Sequence, residues 1–78
     1  MAVLVLFAGA REAAGTGRDE IAGDTVADIL DQATRRYGPV FAEVLTHCRV
    51  WVNGEPALPT SGVAATDEVA VLPPVSGG

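Results

Sequence analysis

Few residues in this chain are of types that could carry chemistry, and the strongest candidates lie near its end. Gly77 and Gly78 follow Pro73-Pro74-Val75-Ser76, directly after an apolar run that reads as a strand. Two prolines lack backbone donors, so they cannot continue a sheet ladder, and they bias the segment to an extended, polyproline-like path. A tail that projects outward is expected, spanning at most about 20 Å for its length. That reach carries a terminal carboxylate from a compact domain into another protein's active site. Gly77 and Gly78 have no Cβ, so they pass a narrow channel and let a nucleotide or a catalytic group come close to the backbone. The reactive group is then the carboxylate of Gly78, a poor electrophile that a partner must activate.

The other candidates are weaker. His47 is the only histidine, and without a second histidine or a cysteine cluster it makes no metal site, so no metal is expected. Cys48, the only cysteine, stands at a strand start and reads as a small buried hydrophobe rather than a nucleophile. The spacing of Gly9, Gly15 and Gly17 fits neither a dinucleotide nor a Walker loop. Asp67 and Glu68 are adjacent, and neighbours on a strand point to opposite faces, so they are poorly placed to share acid/base work. Arg11 and Glu12 read as a solvated pair in a loop.

Seventy-eight residues make one domain, taken here as residues 1–72 with a tail over 73–78. At 49% hydrophobic, the chain has more apolar content than so small a core needs, which points to apolar surface that a partner covers. The net charge of −5 leaves no basic patch for phosphates, so nucleic acid is not an expected partner, whereas a basic groove on a protein is. Lysine is absent, so the chain cannot accept an isopeptide bond on a lysine of its own. One cysteine allows no internal disulfide, and stability must come from packing. The apolar N-terminus has no basic region and no long hydrophobic run. It reads as neither signal peptide nor membrane span, and the expected location is the cytoplasm.

These candidates need a scaffold, and the patterning supplies one. Residues 2–8 form a continuous apolar run rich in β-branched types, read as a strand covered on both faces. Residues 9–17 hold three glycines and read as a loop with one helical turn at Arg11–Ala14. Arg18–Ala22 reads as a second strand. From Thr25 the period changes: Val26, Ile29, Leu30, Ala33 and Tyr37 fall on one helical stripe. Asp24 or Thr25 caps its start, Asp28 and Asp31 suit the positive end of the helix dipole, and Arg35 and Arg36 suit the negative end. Gly38 is the expected left-handed cap, with Pro39 blocking continuation. Residues 40–47 suit a short second helix or turn. A strand over 48–53 leads through Asn53-Gly54, a type I′ hairpin signal, to a short edge strand over 55–58 that tolerates Pro56. After a loop over 59–67, Glu68–Leu72 is the last strand. The expected architecture is α+β, a mixed sheet of about five strands with one main helix packed on one face.

The ending Asp67-Glu68-Val69-Ala70-Val71-Leu72-Pro73-Pro74-Val75-Ser76-Gly77-Gly78 resembles the C-terminus of the small, sulfur-carrying subunit of molybdopterin synthase, a ubiquitin-like family. Val3-Leu4-Val5-Leu6-Phe7-Ala8 with Ala10-Arg11-Glu12, and Val50-Trp51-Val52-Asn53-Gly54-Glu55, resemble that family's first and third strands with their loops. The resemblance covers the whole chain and implies a β-grasp fold. It also implies that an E1-like enzyme uses ATP to adenylate Gly78 and that a sulfur donor displaces AMP to leave a thiocarboxylate. The tail Pro73, Pro74, Val75, Ser76 and Gly77 would carry that group into the large synthase subunit, in a two-plus-two heterotetramer, where sulfur passes to a pterin precursor of the molybdenum cofactor. The chain is then no enzyme on its own and holds no permanent cofactor. One departure is Thr66-Asp67-Glu68 where these carriers often have Gly-Asp-Glu.

The expected docking surface is the sheet face opposite the helix. Strand alternation sets Arg49 and Trp51 on one side and Cys48, Val50 and Val52 on the other. Arg49 argues that its side faces out, which exposes Trp51; the opposite parity would bury Trp51 and turn the valines outward. Phe7 and Leu72 complete the expected partner-binding set. Three readings compete with the molybdopterin carrier. They are a sulfur carrier for thiazole or cysteine formation, a ubiquitin-like modifier that joins Gly78 to target lysines, and an interaction module with an incidental diglycine.

Overall fold

The computed structural model describes residues 1–73. Along the chain run β1 (Ala2–Leu6), α1 (Ala8–Ala14), β2 (Arg18–Ile21), α2 (Val26–Tyr37), α3 (Pro39–Leu45), β3 (Arg49–Val52), β4 (Glu55–Pro56) and β5 (Glu68–Leu72). The strands make one mixed sheet in the order β2-β1-β5-β3-β4. β1 and β5 run parallel at its centre, and the other pairs are antiparallel. This is the expected α+β architecture.

α2 forms where the stripe places it, and its start is fixed by a capping box. The Thr25 hydroxyl accepts from the Asp28 backbone N–H, while the Asp28 carboxylate accepts from the Thr25 and Asp24 backbone N–H groups. Val26, Ile29 and Ala33 are buried, with Leu30 and Tyr37 partly so, and Asp31 pairs with Arg35 on the solvent side at 3.1 Å. Gly23 lets the chain pass tightly over this first turn: a Cβ there would lie 2.8 Å from Asp28 Cβ. At the far end Arg36 reaches the Asp19 carboxylate at 2.7 Å and the Glu20 carbonyl at 3.2 Å, and the Tyr37 hydroxyl donates to the same carboxylate. The end of α2 is thereby tied to edge strand β2.

The core lies between the helices and one face of the sheet. Ala2, Leu4 and Leu6 of β1 and Val69 and Val71 of β5 bury their side chains against Ala10, Ile29, Ala33 and Phe41. Tyr37 meets Phe41 edge-on at 5.1 Å between ring centroids. Val50, Val52 and Cys48 extend this layer at its β3 side.

Several expectations are corrected. Residues 8–14 are a helix, not a loop with one turn: four alanines favour the helical state, and Gly15, at φ 77°, closes it with its N–H on the Arg11 carbonyl. The sheet therefore carries α1 on its inner face besides the main helix α2 and the short α3, which forms where residues 40–47 suit a short helix. Gly38 has positive φ (95°) but an extended ψ (−172°), so it is not a left-handed cap; it turns the chain directly into α3, whose first residue is Pro39. The strand expected over 55–58 stops at Pro56, because the Leu58 N–H goes to the Ser61 hydroxyl. β1 is covered on one face only, with Val3 and Val5 half-exposed on the other. Asn53 and Gly54 adopt positive φ (50° and 81°), as the hairpin requires.

Candidate functional site

The uncovered face of the sheet is built by strand register. Arg18, Val5, Ala70, Trp51 and Pro56 stand opposite one another in turn, one row across all five strands. A second row joins Leu72 to Arg49, and Phe7 continues β1 beside it, its N–H bonded to the Val71 carbonyl at 3.2 Å. Val3 and Val5 fill the β1 positions. None of these side chains belongs to the buried cluster, and every helix with buried residues packs on the other side. The result is an apolar strip edged by the exposed charges of Arg18, Glu20, Glu68 and Arg49.

Register settles the parity of β3. Val50 and Val52 lie opposite Val71 and Val69 and face the core, so Arg49 and Trp51 face out. Arg49 is exposed as expected, but Trp51 is half-buried rather than fully exposed. Phe7 is 42% exposed and Leu72 half-buried. Beside Trp51 a cleft of about 380 Å³ opens between α2 and β3, walled by Val26, Leu30, Leu45, Cys48 and Val50. The face and the cleft thus share the β3 strand.

The hairpin end of this face is held by a side-chain clamp. Asn53 donates to Asp67 at 2.9 Å and accepts from the Glu68 N–H at 2.9 Å, and Asp67 also accepts from the Ala64 N–H at 2.8 Å. The Ala64 N–H, and then the Asn53 amide, hold the Asp67 carboxyl below its usual range. Asp67 therefore closes the turn that delivers β5, with Thr66 where a glycine was the pattern. Asn53 and Asp67 lie fourteen residues apart, so no local pattern links them.

Pro73, half-buried, is the last described residue; the tail residues Pro74, Val75, Ser76, Gly77 and Gly78 lie outside the described residues. Leu72, at the root of the tail, pairs with Arg49. Cys48 is half-buried, its thiol donating to the Val44 carbonyl at 3.3 Å, and burial pushes that thiol up. His47 is exposed at the end of α3, with Glu43 at 3.7 Å. Among the described residues no group of three or more His, Cys, Asp or Glu side chains comes together to hold a metal ion, and no helix is long and apolar enough to cross a membrane.

A five-stranded mixed sheet with helices on one face and an apolar strip on the other defines a ubiquitin-like β-grasp protein. The chain belongs to the ThiS family, whose model matches residues 4–78. It is 42% identical over 83 aligned residues to small archaeal modifier protein 1 of Haloferax volcanii, covering 94% of this chain and 95% of that protein. The solution structure of small archaeal modifier protein 1 from Methanosarcina acetivorans superposes with a TM-score of 0.88 at 29% identity, over 99% of this chain and 95% of that one. A putative molybdopterin converting factor, subunit 1, from Pyrococcus furiosus gives a TM-score of 0.84 at 26% identity, over 95% and 97% of the two chains.

Proposed function

We propose that this chain is an activatable carrier whose Gly78 carboxylate is adenylated by an E1-like enzyme and then delivered to an acceptor while the open sheet face is docked on a partner. ATP is consumed by the activating partner, pyrophosphate leaves, and an acyl-adenylate remains on Gly78. An acceptor amine then displaces AMP and forms an amide, or a sulfur donor displaces it and leaves a thiocarboxylate. The tail residues Pro73, Pro74, Val75, Ser76 and Gly77 are read as the segment that enters the partner's active site. Phe7, Arg49, Trp51 and Leu72 serve the docking.

The observation that carries this reading is the near-full-length similarity to small archaeal modifier protein 1, together with the terminal diglycine. It favours transfer of Gly78 to amines of other proteins. A second reading, sulfur donation within a molybdopterin synthase heterotetramer, draws support from the similarity to the Pyrococcus converting factor and from the Pro-Pro-Val-Ser tail that resembles that subunit. Intact mass of the chain isolated from its own cells, with thiols trapped, separates the two. Conjugates linked through Gly78 support the modifier, and sulfur in place of one terminal oxygen supports the donor. A wholly unmodified carboxylate in cells that hold the activating enzyme overturns both.

A further inference from the structure

β2 is an edge strand, and its register with β1 fixes where its backbone groups point. The Leu6 N–H bonds the Gly17 carbonyl at 3.0 Å, and the ladder continues with Leu4 opposite Asp19 and Ala2 opposite Ile21. Hydrogen-bonded and non-hydrogen-bonded pairs alternate in an antiparallel ladder, so Gly17, Asp19 and Ile21 turn their backbone groups to β1. Arg18 and Glu20 turn theirs outward. The other residues of β1 agree with this phase, since the Val3 and Phe7 N–H groups go to the Asp67 and Val71 carbonyls on the β5 side.

Each of these outward groups is held by a side chain of the same molecule. The Thr16 hydroxyl donates to the Arg18 carbonyl at 3.0 Å and accepts from the Arg18 N–H at 3.4 Å. The Asp19 carboxylate accepts from the Glu20 N–H at 2.8 Å, and Arg36 donates to the Glu20 carbonyl at 3.2 Å. Asp19 also takes Arg36 at 2.7 Å and the Tyr37 hydroxyl, which fastens the end of α2 against the edge. The backbone contacts are all exposed, so water would satisfy these groups equally well. What a tethered side chain adds over water is obstruction of an incoming strand, the hazard of any open edge. The opposite edge is closed by other means. β4 ends at Pro56, which has no N–H, and the Leu58 N–H beyond it goes to the Ser61 hydroxyl at 3.0 Å.

We propose that Thr16, Asp19 and Arg36 form a cap that closes β2 to strand addition by a second copy of this chain. The sheet then meets other molecules with its open face and not with its edge. Without the cap, two β2 strands would pair antiparallel about a two-fold axis at Asp19. Arg18 of one copy would stand opposite Glu20 of the other, and each such pair would exchange both N–H···O bonds. Opposite charges at these facing positions favour the pairing, so Arg18 and Glu20 do not protect the edge. Asp19 would face its own copy, and its charge is therefore separated from its capping role in the test.

The test is sedimentation of the full chain together with residue-resolved amide exchange. The combined variant Thr16→Ala, Asp19→Ala, Arg36→Ala loses one negative and one positive charge, so its net charge stays at −5. Wild type is expected to remain monomeric, whereas the folded variant should dimerise with a dissociation constant of the order of 1 mM, as a few ladder bonds would give. On dimerising, its Arg18 and Glu20 amides should slow by about tenfold. Asp19→Asn removes the charge but keeps an oxygen for the Glu20 N–H, and it is expected to stay monomeric. In monomeric wild type the Arg18 and Glu20 amides should already exchange at least about tenfold more slowly than in an unfolded chain. This last reading needs no variant and decides the matter if the combined variant does not fold. The proposal is overturned by fully exchanging Arg18 and Glu20 amides in wild type, or by a folded combined variant that stays monomeric or dimerises without slowing them. Dimers of Asp19→Asn as strong as those of the combined variant overturn it too, because charge alone would then close the edge.

Discussion

Trp51 and Ala70 stand opposite one another in the β3–β5 ladder, on the face that carries no helix. A methyl beside an indole leaves one flank of the ring without a tall neighbour, and half-buried Trp51 is therefore available to a docked surface. Replacing Trp51 by Ala is expected to cost roughly 1–2 kcal/mol of fold stability, because only part of the ring is buried. Affinity for the activating partner should fall by about 2 kcal/mol or more, roughly thirtyfold. Val50→Ala, on the core side, should show the reverse pattern, with lower stability and unchanged affinity per folded molecule. Calorimetric titration alongside thermal melts checks both, and a Trp51→Ala binding loss no larger than its folding loss would remove the residue from the interface.

Deleting Gly77 and Gly78 separates the tail from the scaffold. The buried cluster is drawn wholly from residues 2–71, so the thermal midpoint should be unchanged, while pyrophosphate release with the activating enzyme should vanish. A truncated chain that keeps its cellular role would mark the diglycine as incidental.

The Asp19–Tyr37–Arg36 group gives the fold opposite dependences at the two ends of the pH scale. The Tyr37 hydroxyl, and after it Arg36, hold the Asp19 carboxyl low. Its contribution is therefore complete above the unfolded carboxyl value of about 4 and is lost as pH falls through the lower folded value. Burial, and after it the Asp19 carboxylate, push the Tyr37 phenol up to about 12. Its contribution is complete below about 10 and is lost as pH rises through the folded value. In Asp19→Asn the phenol should titrate nearer its ordinary value and the acid loss of stability should shrink. Tyr37 is the single tyrosine, so phenolate absorbance reports it alone; an unmoved titration would mean that the hydrogen bond does not persist in solution.

Gly23→Ala tests the close passage over α2. The added Cβ would meet Asp28 Cβ at 2.8 Å and the Ile29 backbone nitrogen at 3.1 Å, and both atoms are fixed by the capping box and the first turn. A loss of about 1–3 kcal/mol is expected, or several degrees to well over ten in thermal midpoint for a domain of this size. A melt within a degree of wild type would show that the first turn of α2 yields freely.

The elements with strong local signals were legible residue by residue. The stripe from Val26 to Tyr37 with its Thr25 cap, the Asn53-Gly54 turn and the Glu68–Leu72 strand each encode a conformation within one turn or one hairpin. Hydrophobic period, capping side chains and positive φ all act at that range. The absence of lysine and the closing diglycine are likewise matters of composition, readable without coordinates. Local signals were weaker where tertiary context competes. The alanines of residues 8–14 become a helix in which Ala10 is buried against the core and which ends at Gly15, and glycine content alone had favoured a loop.

Other features depend on pairing between distant segments, which no local pattern contains. The continuous apolar run of β1 is equally consistent with one covered face or two; only the placing of all three helices on the Leu4 and Leu6 side leaves Val3 and Val5 open. The side of Trp51 follows from its register with β5, since a slip of one residue would exchange Trp51 with the core valines. The clamp of Asn53 on Asp67, the tie of Tyr37 and Arg36 to Asp19, and the placing of Arg49 at the root of the tail join residues far apart in the chain. Sequence determined which side chains exist and what each can do chemically. Tertiary structure decided which of them meet, because contacts across a sheet are set by strand register and helix placement, and those are properties of the whole packed domain.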